Sequence, residues 1–326
     1  MSSTPTTRPT APQTRGALEL TAAMALSGTL GVFVVESGQP SFNVVFFRCV
    51  FGALALAAYC AIRGLFHDHH FTRRTFGLAV LGGVCIVFNW VLLFSAYGKT
   101  SISVATVVYH TQPFYVVILG LLLFKERLDR HQAAWIGIAF VGVLLVADLT
   151  AAEGPRGDAY LLGVGQALLA ALLYAFATVI AKHLKSVRPE LTALTQASVG
   201  IPLLLPFTAL GRTAGLGADW GWLVGLGVIH TCLMYILLYA SYQKLPTAKI
   251  AVLSFVYPAV AILVDFVVYG HHITPLQALG VPLIAVAGLG VNLGWHLLPA
   301  PRRRARVDDA PPAALTPTAN ILEDPR

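Results

Sequence analysis

The sequence predicts an all-α membrane protein, with ten transmembrane helices arranged as two inverted five-helix repeats around a central cavity. Three observations predict it. The 326 residues are 56% hydrophobic and only 11% charged, with a mean hydropathy of +0.72, whereas soluble domains carry about 25% charged residues. A water-exposed surface needs charge, so lipid must cover most of this chain. Apolar stretches of membrane-spanning length recur from end to end. A block of the first half also reappears in the second half at a fixed offset.

The apolar stretches fall at 17–36, 41–62, 75–97, 101–124, 132–149, 159–182, 190–210, 220–242, 247–269 and 275–297. Roughly 20 residues at 1.5 Å rise each cross a bilayer, and the fifth stretch is the shortest. Several are interrupted by Gly or Pro, which membrane helices tolerate. A cleaved signal peptide is the alternative for the first stretch, but its length suits a span. Residues 1–16, rich in Ser, Thr and Pro, and 298–326, rich in Pro, Arg and Ala, read as disordered tails. The organisation expected is a first repeat over 17–149, a linker over 150–158 and a second repeat over 159–297.

Orientation follows from the 22 lysines and arginines. With the N-terminus in the cytoplasm, only Lys99, Arg156 and Arg212 fall outside and Arg48 falls within the second helix; every other basic residue falls inside. That is a positive-inside pattern, and it places both termini in the cytoplasm of a plasma membrane, the bacterial inner membrane being the expected one. The same placement accounts for the net charge of +7 without nucleic acid, since no basic stripe interleaved with stacking aromatics is present.

Sliding the chain by 145 residues brings Leu92-Leu93 onto Leu237-Leu238, Tyr97 onto Tyr242, Lys99 onto Lys244, Pro113 onto Pro258 and Gln132-Ala133 onto Gln277-Ala278. Shared apolar composition scatters Leu and Val matches, but it does not readily hold Tyr, Lys, Pro and Gln-Ala on one register. A unit of five spans is odd, so its two copies must enter the membrane in opposite directions. Inverted repeats recur in secondary transporters, where two halves exchanging shapes supply inward-open and outward-open states.

Polar groups at membrane depth are costly and tend to face a cavity or a partner. The fourth helix carries Thr106, Tyr109, His110, Thr111 and Gln112 just before Pro113, and the ninth carries Ser254, Tyr257, Pro258 and Asp265. Two proline-kinked polar helices in equivalent positions point to a translocation site; ordinary packing with interhelical hydrogen bonds is the alternative. Asn89, Trp90, His230 and Tyr235 are further lining candidates, with Trp90 and Tyr235 at one repeat position. Tyr97, Tyr242 and Trp220 read as an interfacial belt. Arg48 has three readings: snorkelling to the headgroups, pairing with Glu36, or holding a substrate carboxylate.

No acid lies at mid-helix, which favours gradient-following transport, and His110 and His230 are the deeper titratable groups. The loop His67-Asp68-His69-His70 reads as solvated, and no metal or cofactor is expected. The cysteines Cys49, Cys60, Cys85 and Cys232 form no CxxC pair and read as small core residues. Neither a phosphate loop nor an HExxH or GxSxG segment is present, so neither an ATP-driven pump nor an intramembrane enzyme is expected. A non-transporting scaffold is the remaining alternative.

The run Phe94-Ser95-Ala96-Tyr97, the small-residue segment Ser101 to Ala105, Pro113, Glu126-Arg127-Leu128, Gln132, Gly142 and Val143 resemble the EamA family of the drug/metabolite transporter superfamily. The second half keeps Pro258, Gln277, Gly280 and Gly288 but has His271-His272 where Glu-Arg stood. Within the family the chain looks most like the YddG-type exporters of aromatic amino acids and methyl viologen. It departs from the family in having Ser27-Gly28 where a tryptophan is common, and Trp135 in place of a glycine. The resemblance implies two five-helix halves around a cavity that moves amino acids, drugs or related metabolites. The partners it implies are a small-molecule substrate and the lipid bilayer, with a single chain as the working unit. A proton-coupled carrier of drugs or of nucleotide-sugar-like metabolites is the alternative cargo reading.

Overall fold

A computed structural model describes residues 11–67, 70–97, 99–100, 105, 108–147, 157–270 and 274–297. Described residues with regular structure are all helical. The first half comprises α1 (Ala11–Glu36), α2 (Ser41–Ile62), α3 (Arg73–Tyr97), α4 (Gln112–Phe124) and α5 (Arg130–Ala147). The second comprises α6 (Asp158–His183), α7 (Pro189–Leu204), α8 (Trp220–Gly227) running through a π-helical turn at Val228–Leu233 into α9 (Met234–Tyr242), α10 (Thr247–Ser254), α11 (Val256–Tyr269) and α12 (Pro275–Leu293). Six of these helical stretches are long and apolar enough to cross a membrane, and Gln112–Phe124, Arg130–Leu145 and Ala278–Val291 are shorter apolar helices.

The exterior is unlike a soluble protein's, and the apolar interior also holds several polar and charged side chains. Leu122, Val267 and Ile62 are exposed while Arg48, His110, Asn89 and His230 are buried. Lipid provides no water for backbone groups, so helices that satisfy their own hydrogen bonds are the structures that fit. Lipid also gives helices little hydrophobic reason to associate, so packing rests on close approach at small residues. The π turn shows this: a Cβ on Gly227 would stand 2.7 Å from the backbone nitrogen of Gly52, and one on Gly52 would stand 2.4 Å from the Thr231 methyl.

Contacts at the helix ends fix directions. The loop after α4 and the last turn of α6 meet where Lys182 donates to Glu126, and the first residue of α10, Thr247, donates to Glu126 through its hydroxyl and, at 3.0 Å, its backbone N–H. Lys244 donates to Glu19 of α1, and Lys249 to Gln13. These groups share one end of the bundle, called here the basic end. At the other end Tyr269 donates to Glu36 at 2.9 Å, and Asn43 exchanges two hydrogen bonds with the backbone of Ala209. Helix α1 therefore leaves the basic end and α6 arrives there.

Several sequence expectations shift. The first helix begins at Ala11, so residues 11–16 are helical rather than tail, with Gly16 against Lys244 and Leu245. The seventh stretch stops as α-helix at Leu204, after Pro202 removes a donor, and continues as 3₁₀ turns at Leu205–Phe207 and Leu210–Thr213. The last helix ends at Leu293, where Gly294 adopts φ +70° and Trp295 N–H bonds to Gly290 O at 2.8 Å. Tyr242 is buried with its hydroxyl 3.0 Å from that of Tyr174, so it forms no interfacial belt, whereas Trp220 is partly exposed at the start of α8 and packs edge-on to Phe47. The segments 101–104, 106–107 and 271–273, with the side chains of Tyr97, Asp265 and Gln277, lie outside the described residues.

Candidate functional site

The two proline-bearing helices break at equivalent places. The helical turn at Val108–Tyr109 ends in a turn at His110–Thr111, and α4 restarts at Gln112 with Pro113 in its first turn. One repeat later, α10 ends at Ser254, Phe255 forms the turn, and α11 restarts at Val256 with Pro258 in its first turn. Proline lacks an N–H, and a first turn is where none is needed. The two breaks face each other: the His110 ring stacks on Tyr257 at 5.3 Å between centroids and 10° between planes, and on Phe255 at 6.4 Å and 27°.

Beside the breaks lies a cavity of about 90 Å³, walled by α1, α2, α3, α4, α6, α9, α10 and α11. Of the sequence candidates, Arg48, Trp90, Tyr109, His110, Gln112, Tyr235, Ser254 and Tyr257 lie on its wall. Pockets that hold drug-sized ligands run to roughly 300 Å³ and more, so this cavity is small beside them.

Arg48 organises one side. It is 2% exposed, donating from Nε to Thr231 Oγ1 at 3.0 Å and from Nη2 to His230 O at 2.9 Å. Its guanidinium lies 4.1 Å over the Trp90 ring and 5.9 Å from the Tyr235 centroid. Hydrogen bonds to a charged group contribute about 1.5–3 kcal/mol and a desolvated cation–π contact about 2 kcal/mol. These hold a buried cation that no carboxylate pairs among the described residues. Snorkelling and pairing with Glu36 are thereby overturned: Arg48 points inward, and Glu36 accepts from Tyr269. Trp90 and Tyr235 meet edge to face at 6.0 Å and 90°.

Asn89 and His230 do not reach the wall. Asn89 is fully buried, tying α3 to α6 through Ala170 O at 2.7 Å and to Tyr109 Oη at 3.3 Å. The ring of His230 meets Thr29 Oγ1 at 2.9 Å and the edge of Phe33, and its carbonyl serves Arg48. Sequence reasoning missed Tyr174, which lines the cavity and stands 6.1 Å from Tyr109, and Ser27, whose hydroxyl meets Met234 Sδ at 3.0 Å. It also missed the π turn; such insertions are frequent at functional sites, but no periodicity in Val228–Leu233 announces one. Tyr174 sits in an Ala-Leu-Leu-Tyr-Ala run whose apolarity hid it. A second cavity, about 230 Å³, lies toward the basic end between Val117, Glu126, Gln132, Pro246 and Thr247. No group of three or more metal-ligating side chains occurs among the described residues.

Helices long and apolar enough to cross a membrane, an apolar exterior and an internal cavity walled by aromatic, aliphatic and some polar side chains define a multi-pass membrane protein. The chain belongs to the EamA-like transporter family, which matches residues 14–147 and again residues 161–293. It is 33% identical over 279 residues to the Bacillus subtilis protein YxxF, described as an uncharacterized transporter, covering 85% of this chain and 88% of that one. It is 31% identical over 220 residues to a Salmonella typhimurium protein described as a "probable amino-acid metabolite efflux pump", covering 63% of this chain and 71% of that one. A solved crystal structure shares the fold with a TM-score of 0.76 at 18% identity, covering 86% of this chain and 97% of that one.

Proposed function

We propose that this protein is a secondary carrier that moves neutral or aromatic amino acids and related metabolites across the bacterial inner membrane by alternating access. The observation that carries the reading is the cavity at the facing breaks of α4 and α10–α11, walled by polar and aromatic side chains from both halves. Membrane transporters place substrate sites at discontinuous helices where two repeats meet. The opposite travel of α1 and α6 and the family match in each half support a ten-helix, inverted arrangement. The ties of Glu126 and Glu19 at the basic end support a state closed on that side, which the positive-inside pattern assigns to the cytoplasm. The amino-acid reading draws on the Salmonella relative and on the aromatic wall.

Purified protein in liposomes is expected to give saturable, voltage-independent counterflow of radiolabelled L-phenylalanine that a pH gradient does not drive uphill. Absence of saturable flux across a panel of amino acids and related metabolites contradicts the reading. Uphill accumulation driven by protons contradicts the gradient-following part alone.

A further inference from the structure

Among the described residues, the wall of the central cavity carries a cation and no anion. A guanidinium has five N–H donors. In Arg48, Nε is held by Thr231 and one hydrogen of Nη2 by the His230 carbonyl, while one face lies over Trp90. The remaining edge, formed by Nη1 and the second Nη2 hydrogen, has no partner among the described residues, although the residue is 2% exposed. Burying a charge without a counter-charge is among the costliest arrangements in a protein. A planar fork with a vacant edge is also the geometry that takes a carboxylate through two parallel hydrogen bonds. A second bare group sits on the same wall: Gln112 Oε1 is buried and accepts no hydrogen bond from the described residues. None of the described wall residues is Asp or Glu.

We infer that the cavity selects solutes with a carboxylate, which docks on the free edge of Arg48, and that it rejects organic cations. The apolar or aromatic body of the solute lies against Trp90, Tyr235 and Tyr257, and Gln112 Oε1 accepts from an amino or hydroxyl donor on the solute. The low dielectric of the site strengthens both effects, attraction for the acid and repulsion of the cation. The inference rests on the carrier reading above and deepens it by fixing the charge of the cargo.

Four probes with closely similar phenyl-alkyl bodies separate the terms: L-phenylalanine, 3-phenylpropanoate, 3-phenylpropanamide and 2-phenylethylamine. Full-length protein in detergent is titrated with each while its unfolding temperature is followed, and each is then tested as a competitor of L-phenylalanine counterflow in liposomes. L-phenylalanine and 3-phenylpropanoate are expected to stabilise the protein and compete, with the acid binding about tenfold or more tighter than its amide, and the amine is expected to do neither. Arg48→Lys, which keeps the charge and loses the fork, is expected to narrow the gap between acid and amide. Because Arg48 also ties α2 to the π turn, Gln112→Ala serves as a second variant, expected to weaken L-phenylalanine while leaving 3-phenylpropanoate unchanged. Binding of 2-phenylethylamine as tight as that of the acid overturns the inference while flux of L-phenylalanine leaves the carrier reading standing. If none of the four binds or crosses, both fall.

Discussion

Lys182, in the last turn of α6, donates its ammonium to the carboxylate of Glu126 in the loop that follows α4, joining the two halves at the basic end of the bundle. The same carboxylate accepts the backbone N–H and hydroxyl of Thr247 at the start of α10. Three elements therefore meet on one side chain, with Lys182 almost wholly buried. Glu126→Ala leaves that ammonium and the Thr247 N–H without an acceptor and is expected to cost about 1–3 kcal/mol at neutral pH, read as a lower unfolding temperature in detergent. Thr247→Ala removes one donor only and is expected to cost less.

The pH dependence of that tie has a definite sign. Burial pushes the Glu126 carboxyl up, but the donors from Lys182 and Thr247 outweigh burial and hold it below its ordinary value of 4.5. A depressed carboxylate contributes stability that is present above the unfolded pKa and lost as pH falls through the folded one. The stability difference between wild type and Glu126→Gln is therefore expected to stay level from neutral pH to about 5 and shrink below about 4.5. A difference that grows on acidification contradicts this.

Helices α4 and α11 end in the same unusual way. Lys125 takes φ +52° and closes α4 onto Gly120 O, and one repeat later Gly270 takes φ +69° and closes α11 onto Phe266 O. A side chain in this left-handed conformation costs about 1–2 kcal/mol and glycine is free of the cost. Lys125→Gly is expected to stabilise by up to about 1 kcal/mol, and Gly270→Ala to destabilise by about 1–2 kcal/mol. Small effects of both would show that neither left-handed end carries this cost.

At the end opposite Glu126, Asn43 is fully buried and clamps Ala209, donating to its carbonyl at 3.0 Å and accepting its N–H at 2.9 Å. Ala209 lies between two 3₁₀ turns: its carbonyl also accepts the Arg212 N–H at 3.0 Å, whereas its own N–H bonds to Asn43. Asn43→Ala orphans the Ala209 N–H, while the Ala209 carbonyl keeps the Arg212 N–H, and is expected to cost about 1–3 kcal/mol. Hydrogen exchange localises the effect: amides across 205–213 should exchange faster in the variant while those of α3 are unchanged.

Much of this arrangement is legible in the sequence because lipid makes the rules simple. Charge scarcity, span length and the register that pairs Pro113 with Pro258 name the helices, and the structure brings the mates Trp90 and Tyr235 into contact. Polarity before a proline, as at His110 and Ser254, marks the breaks. What periodicity cannot carry is direction of burial around a helix that is apolar on every side. Tyr242 reads as an end-of-span aromatic yet turns inward to Tyr174, and Asn89 reads as lining yet is consumed by Ala170 O. Arg48 reads three ways until the His230 carbonyl, set in a π turn that leaves no sequence pattern, shows which partner it has.

The central claim is that solute passes through the space between the broken helices. Ser254 lies on that wall at the end of α10, its hydroxyl bonded only to Ile250 O among the described residues. The native cysteines are buried, so Ser254→Cys introduces a distinguishable thiol. In liposomes showing L-phenylalanine counterflow, a charged water-soluble thiol reagent is expected to abolish flux through this variant while sparing wild type, and L-phenylalanine present during labelling is expected to slow the loss. Flux that persists undiminished in Ser254→Cys protein shown to be fully labelled would contradict the account, because the route would then lie elsewhere.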